Sequence, residues 1–253
     1  MIRTEWAIRF QGAFPRLVGR RVLVALSGGA DSVALLYLLG SPELELDIEA
    51  AHVHHGTRAD EADLDAQFCD DLCRELGVPF HLLQLDAEST RTAGREGTWR
   101  RHRYERLLDL KDTGKFDAVA TGHHRDDVAE GVLVQVLRGG GPRSLSGIAP
   151  ETSTGVVRPL LPWNRGEIRS WLSDHDKRWR EDSSNRDLSL LRNRVRHQLL
   201  PALESASPSL RKHFAHLAES LATDEAYFAR ELATRARWID PWEPEGGVPT
   251  EDI

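Results

Sequence analysis

Short β-type runs alternate with helical patterns through the first 138 residues, and this alternation constrains the fold more than any other feature of the chain. Apolar, β-branched runs stand at Val22–Leu26, Ile48–Val53, Phe80–Leu85 and Ala118–Thr121. Between them Ser32–Leu39 is apolar all round, as a buried helix is, and Glu61–Leu76 repeats Leu64, Phe68, Leu72 and Leu76 at helical spacing. Gly40 and Gly77 stop these two helices. The pattern predicts two more helices, Thr98–Lys111 and Asp126–Arg138, the second closed by Gly139, Gly140, Gly141 and Pro142. Strands joined through helices run parallel, so the expectation is an α/β protein with a doubly wound, Rossmann-like parallel sheet and a helical extension.

Beyond Pro150 the pattern changes. One extended piece, Val156–Leu161, precedes a helix capped by Asn164 and reaching about Asp174, and a second helix is expected over Leu188–Leu200 before Pro201. Ser207 and Pro208 then open a longer helix, whose Leu210, Phe214, Leu217, Leu221, Phe228 and Leu232 form a stripe expected to pack. The division expected is 1–150 for the α/β domain, 151–201 for its substrate-contacting continuation, 202–240 for a linker helix and 241–253 for a tail.

Hydrophobic residues make up 40% of the 253, enough for a core, while 29% are charged and no apolar run approaches the roughly 20 residues that span a bilayer. The start, with Arg3, Glu5 and Arg9 among apolar residues, lacks the layout of a secretory signal, so the reading is cytoplasmic with no membrane partner. Cys69 and Cys73 are the only cysteines, which excludes a disulfide framework and a four-cysteine metal site; four apart on a helix, they read as reduced core residues. The net charge of −7 argues against bulk attraction to nucleic acid, yet arginines concentrate at Arg91, Arg95, Arg100, Arg101, Arg103 and Arg106 and again from Arg158 to Arg196.

The string Ser27-Gly28-Gly29-Ala30-Asp31-Ser32 lies directly between a β-run and a helix. Paired glycines let the backbone turn its N–H groups inward, and the helix start that follows adds a favourable dipole, so phosphate is the natural ligand. No Lys occupies the loop; Ser27, Ser32 and the metal-capable Asp31 supply its side-chain chemistry. Asp127 and Glu130, i and i+3, share a helix face and can reach one metal or one amine, although the same spacing also complements a helix dipole. His123 can bind phosphate or carry a proton, with a core histidine as the alternative for both His123 and His124. Arg100 and Arg103 can present two guanidinium forks to a phosphate. Arg192, Asn193 and Arg196 fit a helix that holds RNA phosphates and reads a base edge, or else a surface salt-bridge helix. His52 and His55 fall on opposite strand faces, which makes a joint metal site improbable.

The loop resembles that of enzymes that split ATP between its α- and β-phosphates, with an adenine nucleotide alpha hydrolase-like fold. His52-Val53-His54-His55-Gly56-Thr57-Arg58, Glu96-Gly97-Thr98-Trp99-Arg100-Arg101-His102-Arg103-Tyr104, Ala120-Thr121-Gly122-His123-His124-Arg125-Asp126-Asp127-Val128-Ala129-Glu130, Arg138-Gly139-Gly140-Gly141, Arg158-Pro159-Leu160-Leu161, Glu181-Asp182-Ser183-Ser184-Asn185 and Arg192-Asn193-Arg194-Val195-Arg196 follow in order. Together these resemble the tRNA(Ile)-lysidine synthetases over residues 21 to 201. His54, Thr57, Val128 and Gly131 depart from the usual family pattern, and the further domains usual after the linker helix are not in this sequence, so the expectation is either a short form or a fragment. The resemblance implies ATP and Mg²⁺ as cofactors, with free L-lysine and a CAU-anticodon tRNA(Ile) as partners. It implies ATP contacts from Ser27 to Ser32, metal at Asp31 and Asp127, catalytic roles for Asp31, Arg100, Arg103, His123, Asp127 and Glu130, and tRNA contacts from Arg192, Asn193 and Arg196. A 2-thiocytidine- or thiouridine-forming relative, against which the cysteine poverty counts, and a non-catalytic nucleotide sensor are the alternatives; the oligomeric state is open, homodimer included.

Overall fold

The computed structural model describes residues 2–54, 59–85, 96–181 and 187–235. His55–Arg58, Arg91, Arg95, Asp182–Asn185 and the tail from 241 lie outside the described residues. Five strands, β1 Arg21–Ala25, β2 Asp47–His54, β3 Phe80–Gln84, β4 Ala118–Ala120 and β5 Val156–Val157, form one parallel sheet in the order β3-β2-β1-β4-β5. The doubly wound class expected from the alternation is therefore the observed one. Helices are α1 Ile2–Ala13, α2 Ala30–Leu39, α3 Ala59–Leu76, α4 Glu96–Thr113, α5 Arg125–Leu137, α6 Pro142–Leu145, α7 Arg165–Asp174, α8 Leu191–Arg194, α9 Leu200–Ala206 and α10 Leu210–Arg235.

Alternation along each strand divides the core between the two sheet faces. Val22, Val24, Ala50, Ala118, Ala120 and Val157 point into a large cluster with Trp6, Phe10, Leu35, Leu36, Cys69 and Trp171, which brings in α1, α2, α3 and α7. Their neighbours Leu23, Ala51, Val53, Val119 and Val156 point the other way, onto Leu107 of α4 and Phe116. Burial raises the Cys73 thiol to about 12, with the charge of Asp70 adding, and lifts Cys69 further, so both are inert core groups.

Chain packing defines two units, Met1–Asp127 with Ala149–Arg194, and Val128–Ile148 with Val195–Ile253. The first holds the sheet. In the second, Gly147 at φ +72 presses against α10 so closely that a Cβ there would stand 2.8 Å from the Cβ of Ala218.

Several expected elements need correction. The extended piece at 156–161 pairs only at Val156–Val157, because Pro159 has no N–H to offer a ladder. The helix expected over Leu188–Leu200 starts at Leu191, passes through a π-helical turn at Val195–Leu199 and resumes as α9 with Pro201 in its first turn, where a missing N–H costs nothing. The α10 stripe does not pack along its length: Leu217 is 42% exposed, Phe228 59% and Leu232 67%, leaving Ala218 as its buried residue. Helix α1 was not anticipated, although Trp6, Phe10 and Phe14 recur every four residues and are buried. Among the described residues no helix is long and apolar enough to cross a membrane.

Candidate active site

The chain runs from β1 outward through β2 to β3, then returns to place β4 on the other side of β1. Such a reversal opens a crevice at the carboxyl ends of the two central strands, and α/β sheets bind their ligands there. The Ser27–Ser32 loop leaves the end of β1, and Thr121-Gly122-His123-His124 leaves the end of β4.

Gly28 turns the loop at φ +87, a conformation open to glycine at no steric cost. Its carbonyl faces away and accepts from the Arg180 N–H at 2.9 Å, while Arg180 also pairs with Asp65 of α3. Ser32 Oγ donates to the Gly29 carbonyl at 3.0 Å and lies 3.0 Å from Ser27 Oγ, so the two hydroxyls close the loop on itself. Gly29 precedes α2 in extended conformation and no side chain caps the helix, which leaves its first-turn amides for an anion. Beneath the loop, buried His52 sets its Nδ1 2.9 Å from the Leu26 carbonyl, and burial keeps it below the ordinary imidazole value.

Gly122 abuts this helix start. A Cβ on it would fall 3.1 Å from Asp31 C and Ser32 N, so glycine is what lets the two loops meet. The next residue, His123, lies 3.0 Å from Thr121 Oγ1 through Nδ1 and 3.1 Å from an Arg100 nitrogen through Nε2. A guanidinium only donates, so the imidazole is neutral with its proton on Nδ1. Burial, assisted by Arg100, Arg158 and Arg103 against the pull of Asp127, lowers its pKa to about 3.

His124 is fully buried between two carboxylates, its Nε2 3.4 Å from Asp31 and its Nδ1 3.4 Å from Asp127. Burial alone would lower its pKa, but the Asp31 hydrogen bond and the charges of Asp127 and Asp31 outweigh that and raise it. Asp127 accepts the His124 N–H at 3.0 Å and an Arg192 nitrogen at 2.7 Å. Its burial, which opposes ionisation, is overcome by His124, Arg192 and the backbone bond, and the carboxyl falls to about 2. A loop hydroxyl pair, an aspartate and a histidine between carboxylates thus converge on one edge of the sheet. Such a set can bind phosphate, orient an amine or move a proton.

Several expected contacts are used within the protein. Asn193 is buried and donates to the Asp187 carbonyl at 2.9 Å. In the second unit Arg196 makes two bonds to Glu130, 2.7 and 2.8 Å, and the carboxylate is fully buried. The two groups form an ion pair, the alternative the sequence left open for Arg196 beside a phosphate contact. Residues not singled out in the sequence include Arg158, which is buried, and Arg180; His124 had been left between core and function. The doublet Gly122-His123-His124 at a strand end carried the signal for His124, and no local signal distinguishes Arg180.

Among the described residues no group of three or more His, Cys, Asp or Glu is arranged to hold a metal. Asp31 Oδ1, however, is buried without a hydrogen-bond partner, and one carboxylate oxygen beside a phosphate loop suits Mg²⁺, which takes one or two carboxylates and completes its shell with phosphate and water. Asp127, with two donors on its oxygens, fits that role less well.

A family model described as a PP-loop domain matches residues 3–203. The tRNA(Ile)-lysidine synthase of Solibacter usitatus is 42% identical over 216 residues, which is 85% of this chain and 48% of that protein. Those of Porphyromonas gingivalis and Geobacter sulfurreducens are 41% and 40% identical, covering 90% and 84% of this chain and 50% and 46% of their own. The chain therefore spans about half the length of the curated relatives it matches. A solved structure, the U34-tRNA thiolase NcsA from Methanococcus maripaludis, shares the fold with a TM-score of 0.68 at 20% identity, over 87% of this chain and 78% of that one. The family match takes in the whole sheet and the Ser27–Ser32 loop at its switch point: the chain belongs to the PP-loop domain family.

Proposed function

We propose that this domain ligates lysine to C2 of the wobble cytidine in a CAU-anticodon tRNA(Ile), consuming ATP and releasing AMP and pyrophosphate. The observation that carries the reading is the pairing of an uncapped helix start at the phosphate loop with the His123–Asp127 turn across the Gly122 contact, in a chain about 40% identical to proteins named for this reaction.

The cytosine O2 is a poor leaving group. Its attack on the α-phosphorus of ATP expels pyrophosphate and leaves O2 carried by AMP; the lysine ε-amine then forms the C2–N bond, AMP departs with O2, and the amine gives up its proton. The loop amides and Ser27 and Ser32 hydroxyls hold the departing phosphates where charge develops. Asp31 would hold Mg²⁺, which would supply neutralisation of the charge that develops on the phosphates. Asp127, ionised well into acid, keeps an ammonium or a protonated His124 beside the reacting base. Neutral His123 can hydrogen-bond without adding charge. An anticodon loop already presents unstacked bases, so no duplex need open.

Mass analysis of tRNA(Ile) after incubation with ATP, Mg²⁺ and lysine is the test. The mass of lysine less one water should be added at the wobble cytidine, with one pyrophosphate released per event, and Asp31→Ala should abolish both. Pyrophosphate release with no adduct would move the reading to another adenylating reaction, and neither product would end it.

A further inference from the structure

Beside His123 stand three arginines that, among the described residues, bond no carboxylate. Arg100 gives its one hydrogen bond to His123. Arg103 lies half-buried one residue before Tyr104, whose ring it and Arg100 approach to 5.7 and 5.9 Å. Arg158 follows the end of β5, where Thr121 N bonds Val157 O, and is 8% exposed. Its guanidinium donates to the Ala149 carbonyl at 2.5 Å, and its Nε is buried without a partner. The Tyr104 hydroxyl is also buried with no hydrogen bond of good geometry. Burial opposes ionisation of this phenol, but the charges of Arg100, Arg103 and Arg158 outweigh it and lower its pKa.

A buried guanidinium with neither carboxylate nor full hydrogen bonding is costly unless something else supplies the charge. A single carboxylate would answer one of three positive charges. A phosphate answers two, and offers acceptors to both orphaned donors, Arg158 Nε and Tyr104 Oη.

We propose that Arg158 and Tyr104, with Arg100 and Arg103, form a phosphate pocket next to the β4 loop and separate from the amide nest of the Ser27–Ser32 loop. It takes a phosphate group from the nucleotide side, as ATP or pyrophosphate, or from the RNA backbone, and only the choice between these sources rests on the proposed ligation.

The test uses the intact chain, wild type against Arg158→Gln, Arg158→Lys and Tyr104→Phe. Inorganic pyrophosphate is titrated by calorimetry, and an anticodon stem-loop RNA of tRNA(Ile) by anisotropy at several salt concentrations, with circular dichroism to verify folding. Arg158→Gln should weaken one probe at least tenfold, Arg158→Lys should restore part of it by returning charge without the fork, and Tyr104→Phe should weaken the same probe several-fold. Loss confined to pyrophosphate assigns the pocket to nucleotide phosphate. Loss confined to RNA, with the salt slope flattened by about one unit, assigns it to a phosphodiester. Unchanged binding of both probes overturns the proposal. If Arg158→Gln does not fold, Tyr104→Phe decides, since it removes one oxygen and leaves the packing: no change in either probe is then the refuting result. A wild type that binds pyrophosphate yet modifies no tRNA would refute the ligation and leave the pocket standing.

Discussion

Replacing Arg196 by Ala removes its two hydrogen bonds to a carboxylate with no solvent exposure. Glu130 is fully buried, and Arg196, with a side chain 15% exposed, meets it through Nε and the terminal nitrogen at 2.7 and 2.8 Å. Removing one member of such a buried pair costs about 3–5 kcal/mol. At 2–4 °C per kcal/mol for a chain of this size, melting should fall by roughly 6–20 °C. Exchanging both partners for apolar groups of similar volume, Arg196→Met with Glu130→Leu, should cost much less, because no charge is left behind. Thermal and urea unfolding of the four members of this cycle, at neutral pH, measure the difference. If Arg196→Ala melts with the wild type while its affinity for tRNA(Ile) falls, the ion pair contributes nothing to the fold and Arg196 is a phosphate contact after all.

Gly122→Ala should leave unfolding largely unchanged but cut ATP-dependent pyrophosphate release at least tenfold, because its Cβ would stand 3.1 Å from the Asp31 and Ser32 backbone; wild-type rates would refute the close-contact argument. Gly131→Ala should stabilise by about 1 kcal/mol in urea, since the residue lies inside α5 and nothing stands within 4 Å of an added Cβ. Acid stability is the third expectation. His123, ordinarily 6.5, is held at about 3, so below pH 6.5 the unfolded chain takes a proton that the folded chain refuses, and stability falls by about 1.4 kcal/mol per pH unit. Asp127, moved from 3.8 to about 2, adds to the loss below pH 4, while raised His124 opposes it, its contribution being full below 6.5 and lost as the pH rises through its folded value. His123→Asn should flatten the slope between pH 6.5 and 4 in urea unfolding, and an unchanged slope would sink the assignment.

What could be read from the sequence divides along a physical line. The sheet, the loop and the capping box at Asn164 are local or periodic features, and alternation along a strand or a side chain bonding three residues ahead leaves its mark in neighbouring letters. Asp31, Ser32, His123 and Asp127 were found because they flank strand ends. The partners of Asp127 and Glu130 were not: Arg192 and Arg196 stand 65 and 66 residues away, and only the folded chain decides whether an arginine meets a carboxylate or a phosphate. The α10 stripe has correct spacing and largely remains in solvent, since periodicity fixes which residues share a face but not what covers that face.

The bond from Arg180 N–H to the Gly28 carbonyl has a consequence for the order in which the protein is made. The group that anchors the back of the Gly28 turn is translated 152 residues after it, and Arg180 also ties that segment to Asp65 of α3. At about 5–20 residues per second, synthesis leaves the loop without that anchor for roughly 8–30 seconds. A nascent chain stalled before residue 180 should therefore contain a sheet but grip pyrophosphate poorly, and binding should rise in one step as the 178–181 segment emerges. Competence for nucleotide is, by this route, set by a segment translated well after the loop itself.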